Sequence, residues 1–187
     1  MGRGPLAGPV VACAVILPPD FSHSTLNDSK QLSPGLREEI CAELKERRDV
    51  LWAIGIVEHA EIDRLNIAGA PYLAMQKAVQ ALPEVPDFLL IDGRPVPSFS
   101  RLKQLALIKG DSRSFSIAAA SVIAKVTRDR IMDGHHETWP RYQFKNHKGY
   151  ATAEHLKALA KFGPSPIHRM SFFPVRAQAE TLELGFS

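Results

Sequence analysis

Residues 88–111 read FLLIDGRPVPSFSRLKQLALIKGD, and this stretch decides the fold class. The apolar runs at residues 88–91 and 105–108 have the length and composition of buried strands. Each run leads into a turn that contains an aspartate, Asp92 after the first and Asp111 after the second. A run of small and apolar residues at 116–131 follows and predicts a helix that packs closely against these strands.

The rest of the chain continues this alternation of strand-sized apolar runs and helical patterns. Further strands are predicted at residues 8–17 and 50–57, and further helices at residues 61–65, 71–82 and 152–162. Another helix begins with Ser33 as its N-cap and Pro34 at its first position. Strands that alternate with helices predict an α/β fold. We expect one domain over residues 1–187, with a C-terminal helical segment at about residues 133–187.

Composition indicates a globular protein in a reducing compartment. Hydrophobic residues make up 45% of the 187 residues and charged residues 23%, and no run reaches the ~18 apolar residues of a membrane span. Cys13 and Cys41 share no metal-ligand spacing and are predicted to be buried free thiols. We therefore expect a cytoplasmic protein without a membrane partner. The net charge of +3 suits a polyanionic partner and an ordinary enzyme equally well.

Asp92 and Asp111 are candidate metal ligands because each follows a predicted strand. Carboxylates at strand ends converge on one rim of a sheet, where they offer the hard oxygen ligands that Mg²⁺ or Mn²⁺ prefers. Taken alone, both residues are better explained as turn residues, since Asp and Gly dominate turns. The seven histidines show no ligand pattern, and His147 and His168 are predicted to be structural.

An ordered series of short motifs runs through the chain and resembles bacterial ribonuclease HII. Each motif is weak alone, but their order and spacing together are specific, and they extend from residue 2 to about residue 175. The motifs are GRGPLAGPV at 2–10, LNDSKQLS at 26–33, LNI at 65–67, LIDG at 90–93, KGDS at 109–112, SIAAASVIAKVTRD at 116–129, HKGY at 147–150 and HRMSF at 168–172.

The resemblance implies a ribonuclease H-like mixed sheet flanked by helices, and an endonuclease. Such an enzyme cleaves the RNA strand of RNA/DNA hybrids and nicks duplex DNA at embedded ribonucleotides, by means of water activated by Mn²⁺ or Mg²⁺. Asp92 and Asp111 match the third and fourth of the family's four metal-binding catalytic carboxylates. The implied partners are RNA/DNA hybrids and DNA that contains ribonucleotides, and we expect a monomer.

The resemblance also implies which residues bind the substrate. The segment Gly2-Arg3-Gly4 matches the family segment that senses the ribonucleotide 2′-hydroxyl, and Tyr150 matches an aromatic that stacks on the neighbouring sugar. The alternatives are a flexible terminus and a core tyrosine.

Two further positions, Lys30 and Asn66, match family residues near the phosphate backbone. The alternatives here are a solvated lysine and a helix-capping asparagine. On the alanine-rich helix, Arg128 is predicted to lie on a face that borders the duplex or water, and to form a surface pair with Asp129.

The chief departure from the family concerns its first two carboxylates. An Asp-Glu pair precedes the glycine-rich segment by one variable residue in the family, and Met1 holds that variable position here. We expect this sequence to lack the central strand that carries the pair, through a start codon assigned too late, and to show a gap between strands 8–17 and 88–91. A non-catalytic hybrid-binding protein is the alternative. A small-molecule α/β enzyme is a weaker one, since no glycine-rich phosphate fingerprint supports it.

Overall fold

The computed structural model describes residues 1–26, 29, 31–99 and 101–184. Within them, strands and helices alternate as predicted for an α/β protein. The elements are β1 (Val10–Ile16), α1 (Pro34–Glu46), β2 (Leu51–Val57), α2 (His59–Gln80), β3 (Phe88–Asp92), β4 (Lys103–Leu107), α3 (Phe115–Thr138), α4 (Phe144–His147), α5 (Ala153–Phe162) and α6 (Phe173–Leu184). The last three make up the predicted C-terminal helical segment.

Helix α1 begins as its sequence predicts. The Ser33 side chain accepts a hydrogen bond from the backbone N–H of Leu36, and Pro34 occupies the first turn, where no intrahelical N–H is needed. The helix buries Ile40 and Leu44 against the alanine-rich part of α3. This apolar contact, rather than the short helix itself, supplies the stability of the element.

Helix α2 is two helices separated by a break at Asn66, as the two predicted helices at 61–65 and 71–82 anticipate. Asn66 has φ 62° and ψ 166°, outside the helical region. Its side-chain oxygen accepts hydrogen bonds from the N–H groups of Ala68 and Gly69. The residue therefore caps the second half of α2 at its N-terminus.

The chain divides into two compact units. The first comprises Met1, Val11–Ile56 and Tyr72–Val126, and the second Gly2–Val10, Val57–Pro71 and Thr127–Ser187. The second unit has a core built around Met132, Tyr142 and Phe144. The single domain expected over residues 1–187 stays a prediction.

In the first unit, the described residues form two separate pairs of strands. β1 pairs with β2, and β3 runs parallel to β4 with Asp92 opposite Leu107. Leu89 and Ile91 of β3 face a buried cluster that includes Val96 and Phe99. The predicted gap lies between the pairs, because no described strand joins β1 to β3.

Helix α3 and strand β4 are among the elements whose bounds differ from the prediction. Helix α3 continues for seven residues beyond the predicted end at Ile131, because its last turns bury Met132 in the core of the second unit. Strand β4 begins at Lys103, and it is not enclosed on both faces, since Leu105 is exposed and Ala106 and Leu107 are half-buried. Within the described residues, no helix combines the length and apolar content that a membrane crossing requires.

Candidate carboxylate site and nucleic-acid interface

Asp92 and Asp111 lie at the same edge of the β3–β4 pair. Asp92 is the last residue of β3, and Asp111 lies in the short 3-10 turn that follows β4. One carboxylate oxygen of Asp92 accepts a hydrogen bond of 3.0 Å from the N–H of Gly110. The parallel pairing therefore brings the two aspartates to one rim, as the sequence predicts for strand ends.

The two aspartates line a cleft in the first unit. The cleft has a volume of about 550 Å³, and its walls include β1 residues 12–16 and all of β3, with helix α3 residues Ile117, Ala120 and Ala124 at its base. A strand within a packed sheet occupies about 160 Å³ per residue, from a rise of ~3.3 Å, a strand spacing of ~4.8 Å and a layer spacing of ~10 Å. The cleft therefore has room for about three residues of an additional strand.

Met1 lines this cleft and pairs with β1. Its terminal amino group donates to the carbonyl of Val11 at 2.6 Å, and the N–H of Val11 donates to the carbonyl of Met1 at 3.0 Å. Two residues that exchange both hydrogen bonds form the unit of an antiparallel ladder. Residues joined ahead of Met1 in the same register would run along β1 into the cleft.

The donor set at this rim fits a hard divalent cation in part. Two carboxylates supply hard oxygens, and Mg²⁺ is commonly held by one or two carboxylates together with water and substrate phosphate. Among the described residues, no group of three or more His, Cys, Asp or Glu side chains is arranged to hold a metal ion. To hold a metal ion, Asp92 and Asp111 would therefore need further oxygen ligands.

The Gly2-Arg3-Gly4 segment, in the second unit, is fixed by a buried guanidinium group. Arg169 donates to the carbonyl oxygens of Gly2 at 2.7 Å and Arg3 at 3.2 Å, and to that of Gly8 through two nitrogens at 2.8 and 2.9 Å. Arg3 and Gly4 are exposed, whereas Gly2 is buried. The segment is therefore held by its carbonyl groups and is not a loose terminus.

A second buried arginine, Arg128, explains why position 2 is a glycine. Arg128 donates to the carbonyls of Pro9, Ala7 and Lys148 at 3.0, 3.3 and 3.0 Å. A Cβ at position 2 would lie 2.4 Å from Nε of Arg128, and Gly2 has φ +88°, which side chains disfavour. The predicted surface position of Arg128 is wrong, since the side chain is 1% exposed and its donors are satisfied by backbone carbonyls.

Burial disfavours the charge on both arginines. It lowers the pKa of Arg169 to about 9, with a further lowering from the nearby Arg128 and an opposing effect of Asp63. Burial likewise lowers the pKa of Arg128. Arg169 therefore remains protonated at neutral pH, and two cations support the glycine-rich segment from inside the second unit.

Tyr150 lies beside this segment with its ring accessible. The side chain is 43% exposed, and a Cβ placed on Gly4 would be 3.7 Å from Cε1 of the Tyr150 ring. The guanidinium of Arg128 lies 5.8 Å from the ring centroid. An exposed ring is a suitable platform for a sugar or base, and the alternative of a core tyrosine does not hold.

Comparison with known proteins now decides the family. The sequence model described as Ribonuclease HII matches residues 1–175. The chain belongs to the ribonuclease HII family. It is 54% identical over 176 residues to ribonuclease HII of Bacillus licheniformis, an alignment that covers 94% of this chain and 68% of the relative. The chain spans about two thirds of the length of the curated relatives that it matches.

Solved structures show the same fold as this ribonuclease HII family member. The ribonuclease H2 of Pyrococcus horikoshii OT3 is similar with a TM-score of 0.84 at 24% identity, covering 98% of this chain and 95% of that one. A structure of Bst-RNase HIII in complex with Mn²⁺ is similar with a TM-score of 0.66 at 20% identity, covering 98% of this chain and 68% of that one. The predicted ribonuclease H-like mixed α/β fold is confirmed.

The two remaining predicted site residues, Asn66 and Lys30, have different outcomes. Asn66 is exposed, and its side chain caps a helix, so the capping alternative describes its observed contacts. Lys30 lies outside the described residues. Sequence reasoning missed Arg128 and Arg169 as supports of the glycine-rich segment. The only signal was their place in the motifs, because the carbonyls that they contact in the glycine-rich segment and its continuation to Pro9 lie more than 110 residues away along the chain.

Proposed function

We propose that this protein is an endoribonuclease that hydrolyses the RNA strand of RNA/DNA hybrids and nicks duplex DNA at embedded ribonucleotides. Asp92 and Asp111 on the rim of the cleft carry this proposal, because they place two carboxylates side by side in a chain that belongs to a ribonuclease family. Divalent-metal dependence, with Mn²⁺ or Mg²⁺, is supported by the Mn²⁺ complex of the similarly folded Bst-RNase HIII.

Asp92 and Asp111 would hold the metal through their side-chain oxygens. The bound metal supplies activated water and stabilises charge on the scissile phosphate. The N–H of Gly110 donates a hydrogen bond to one oxygen of Asp92, and this bond fixes the orientation of the carboxylate group. The turn between Lys109 and Ser112 presents Asp111 beside it. Both residues therefore act by position and charge, and no covalent nucleophile is required.

We further propose that the cleft receives an extended apolar segment that carries the family's Asp-Glu pair. The volume of the cleft, the half-buried β1 residues along its wall and the Met1–Val11 hydrogen bonds support this arrangement. Such a segment would join the β1–β2 and β3–β4 pairs into one sheet and bring two more carboxylates toward Asp92 and Asp111. It would complete a ligand set that the described residues supply only in part.

In the second unit, the Gly2-Arg3-Gly4 segment and Tyr150 would recognise the ribonucleotide. The segment is held rigid by buried donors, so it would contact a 2′-hydroxyl without a large loss of backbone entropy. Tyr150 would stack on the adjoining sugar. Lys30 and Asn66 would contact phosphates on either strand, which gives affinity without sequence preference. We propose that the protein acts as a cytoplasmic monomer.

Binding to matched duplexes tests the recognition part of this proposal. Tyr150→Ala should cost about 1–3 kcal/mol on a duplex with one ribonucleotide and far less on the same duplex in DNA. Fluorescence anisotropy in EDTA measures both affinities without cleavage, and Leu156→Ala, which changes an exposed side chain on α5, serves as the control. Equal losses on the two duplexes would contradict the role of Tyr150. Recognition without metal-dependent cleavage by a chain that also carries the Asp-Glu segment would instead favour the non-catalytic binding protein.

A further inference from the structure

The main chain of Tyr150 is held by a buried imidazole ring. Nδ1 of His155 lies 2.9 Å from the Tyr150 carbonyl oxygen. A carbonyl oxygen only accepts, so Nδ1 of His155 carries a proton and donates it. The same carbonyl accepts from the N–H of Thr152 at 2.8 Å, and the N–H of Tyr150 donates to the carbonyl of His147. The backbone at Tyr150 is therefore fixed on both sides.

A second imidazole fixes the tautomer of the first. Nε2 of His155 lies 3.0 Å from Nε2 of His168, and Nδ1 of His168 accepts from the N–H of Ser165 at 2.8 Å. Because a neutral imidazole has one donor and one acceptor, His168 carries its proton on Nε2 and donates to His155. His155 and His168 are 0% and 1% exposed, so water does not replace these contacts.

A third imidazole completes the group. Nε2 of His147 lies 2.8 Å from the Tyr142 carbonyl and must donate to it, while Nδ1 accepts from the N–H of Gly149 at 3.2 Å. Its ring stacks on that of His155 with centroids 4.4 Å apart and planes at 14°. Phe144 packs its ring against all three imidazoles. The hydrogen bonds thus admit a single set of neutral tautomers.

We propose that His155 is a positioning residue for substrate recognition, which acts through the Tyr150 carbonyl and is oriented by His168 and Ser165. This inference rests on the proposed role of Tyr150 as the ribonucleotide platform. The hydrogen bonds from Ser165 to His168, from His168 to His155 and from His155 to Tyr150 form a relay. This relay connects the turn at residues 165–168 to the segment at residues 148–150, where Lys148 and Gly149 both have positive φ. Residues with positive φ lack the local stability of a helix or strand. Hydrogen bonds from neighbouring segments therefore determine where the Tyr150 ring lies.

The tautomers provide a direct test that does not depend on any substrate. In ¹⁵N-labelled full chain at pH 7.5, two-bond ¹⁵N–¹H correlation spectra should show the proton on Nδ1 of His155 and on Nε2 of His147 and His168. The signals of the three rings are assigned from the signal that disappears in each of the variants His147→Asn, His155→Asn and His168→Asn. A proton on Nε2 of His155, or rapid averaging between tautomers at this ring, would overturn the relay.

Two variants of His155 then separate positioning from simple packing. His155→Asn keeps an N–H donor near the position of Nδ1, whereas His155→Leu keeps the bulk without a donor. For each we compare the affinity for a single-ribonucleotide duplex with that for the matched DNA duplex, in EDTA, below the melting temperature of the variant. His155→Leu should lower this affinity ratio about fivefold or more, within the range expected for a lost stacking contact. His155→Asn should restore most of it. Equal effects of the two variants, or equal losses on both duplexes, would overturn the inference.

Tyr150→Ala distinguishes failure of the inference from failure of the proposed function. If Tyr150→Ala lowers the affinity ratio and His155→Leu does not, the relay does not position Tyr150 and only the inference falls. If Tyr150→Ala leaves the ratio unchanged, the proposed recognition role falls and the inference falls with it. In the Tyr150→Ala background, His155→Leu should have no further effect on the ratio, and an additive effect would show that His155 acts on something else.

Discussion

Acidification from pH 7 to pH 5 should weaken the folded state through two buried histidines. Burial lowers the pKa of His155 to about 4 and, with the neighbouring His155, lowers that of His168 to about 3, against an ordinary value of 6.5. The unfolded chain therefore binds more protons than the folded chain below pH 6.5. Stability falls as the pH drops below 6.5, and this loss ends only near the folded pKa values of about 4 and 3.

The size of the effect at pH 5 follows from the unfolded state. At pH 5 the ratio of protonated to neutral imidazole is about 30 in the unfolded chain, whereas both imidazoles remain mostly neutral in the folded chain. Each ring thus contributes a loss of about 2 kcal/mol, and the two together about 4 kcal/mol. A typical domain has about 5–15 kcal/mol in total, so the loss is large enough to measure readily.

Urea unfolding of the chain and of His168→Asn, each at pH 7 and pH 5, measures this loss. Asn at position 168 keeps an oxygen that accepts from the N–H of Ser165 but removes one titrating ring. The variant should lose about 2 kcal/mol less than the parent between the two pH values. Contributions from groups that are present in both proteins cancel in the comparison. An identical loss in the two proteins would refute the assignment of His168 as a buried neutral base.

Three further outcomes follow from packing and from charge. Gly55→Ala should lower the free energy of unfolding by about 1–3 kcal/mol or more, since its Cβ would lie 1.9 Å from the Ala74 carbonyl oxygen. Gly35→Ala in α1, where a Cβ meets nothing within 4 Å, should instead raise it by up to about 1 kcal/mol in the same urea experiment. Lys30→Ala should weaken binding to all duplexes and reduce the slope of log K against log salt by about one unit. A loss confined to ribonucleotide-containing duplexes would contradict a phosphate contact.

Local sequence signals predicted most of the regular elements. The Ser33–Pro34 cap, the break at Asn66 and the aspartates after β3 and β4 each depend on residues within a few positions, and the structure shows all of them. The predicted ends of α3 and β4 differ from the observed ends, because contacts with residues that are far away along the chain determine where these elements end. The continuation of α3 to Thr138 depends on Met132, whose partners in the core are far away along the chain.

The supports of the candidate interface were not predictable in the same way. Arg169 contacts Gly2 across 167 positions, and a charged side chain in a sequence is ordinarily assigned to the surface. His155 carries no sequence signal for its role, since its relevant contacts are a backbone carbonyl and a second imidazole. The sequence motifs supply candidate substrate contacts such as Tyr150, but they carry no signal for the residues that hold those candidates in place.

We propose that Asp92 and Asp111 act together with carboxylates that an extended segment brings into the cleft. Cleavage of a duplex with a single ribonucleotide, in Mg²⁺ or Mn²⁺, tests this most directly with three proteins. These are the chain that begins at Met1, the same chain preceded by an apolar strand that ends in Asp-Glu, and the extended chain with Asp92→Asn. We predict little or no cleavage by the first, metal-dependent nicking at the ribonucleotide by the second and loss of that activity in the third. Robust cleavage by the chain that begins at Met1, or by the extended Asp92→Asn variant, would contradict the assignment of the site.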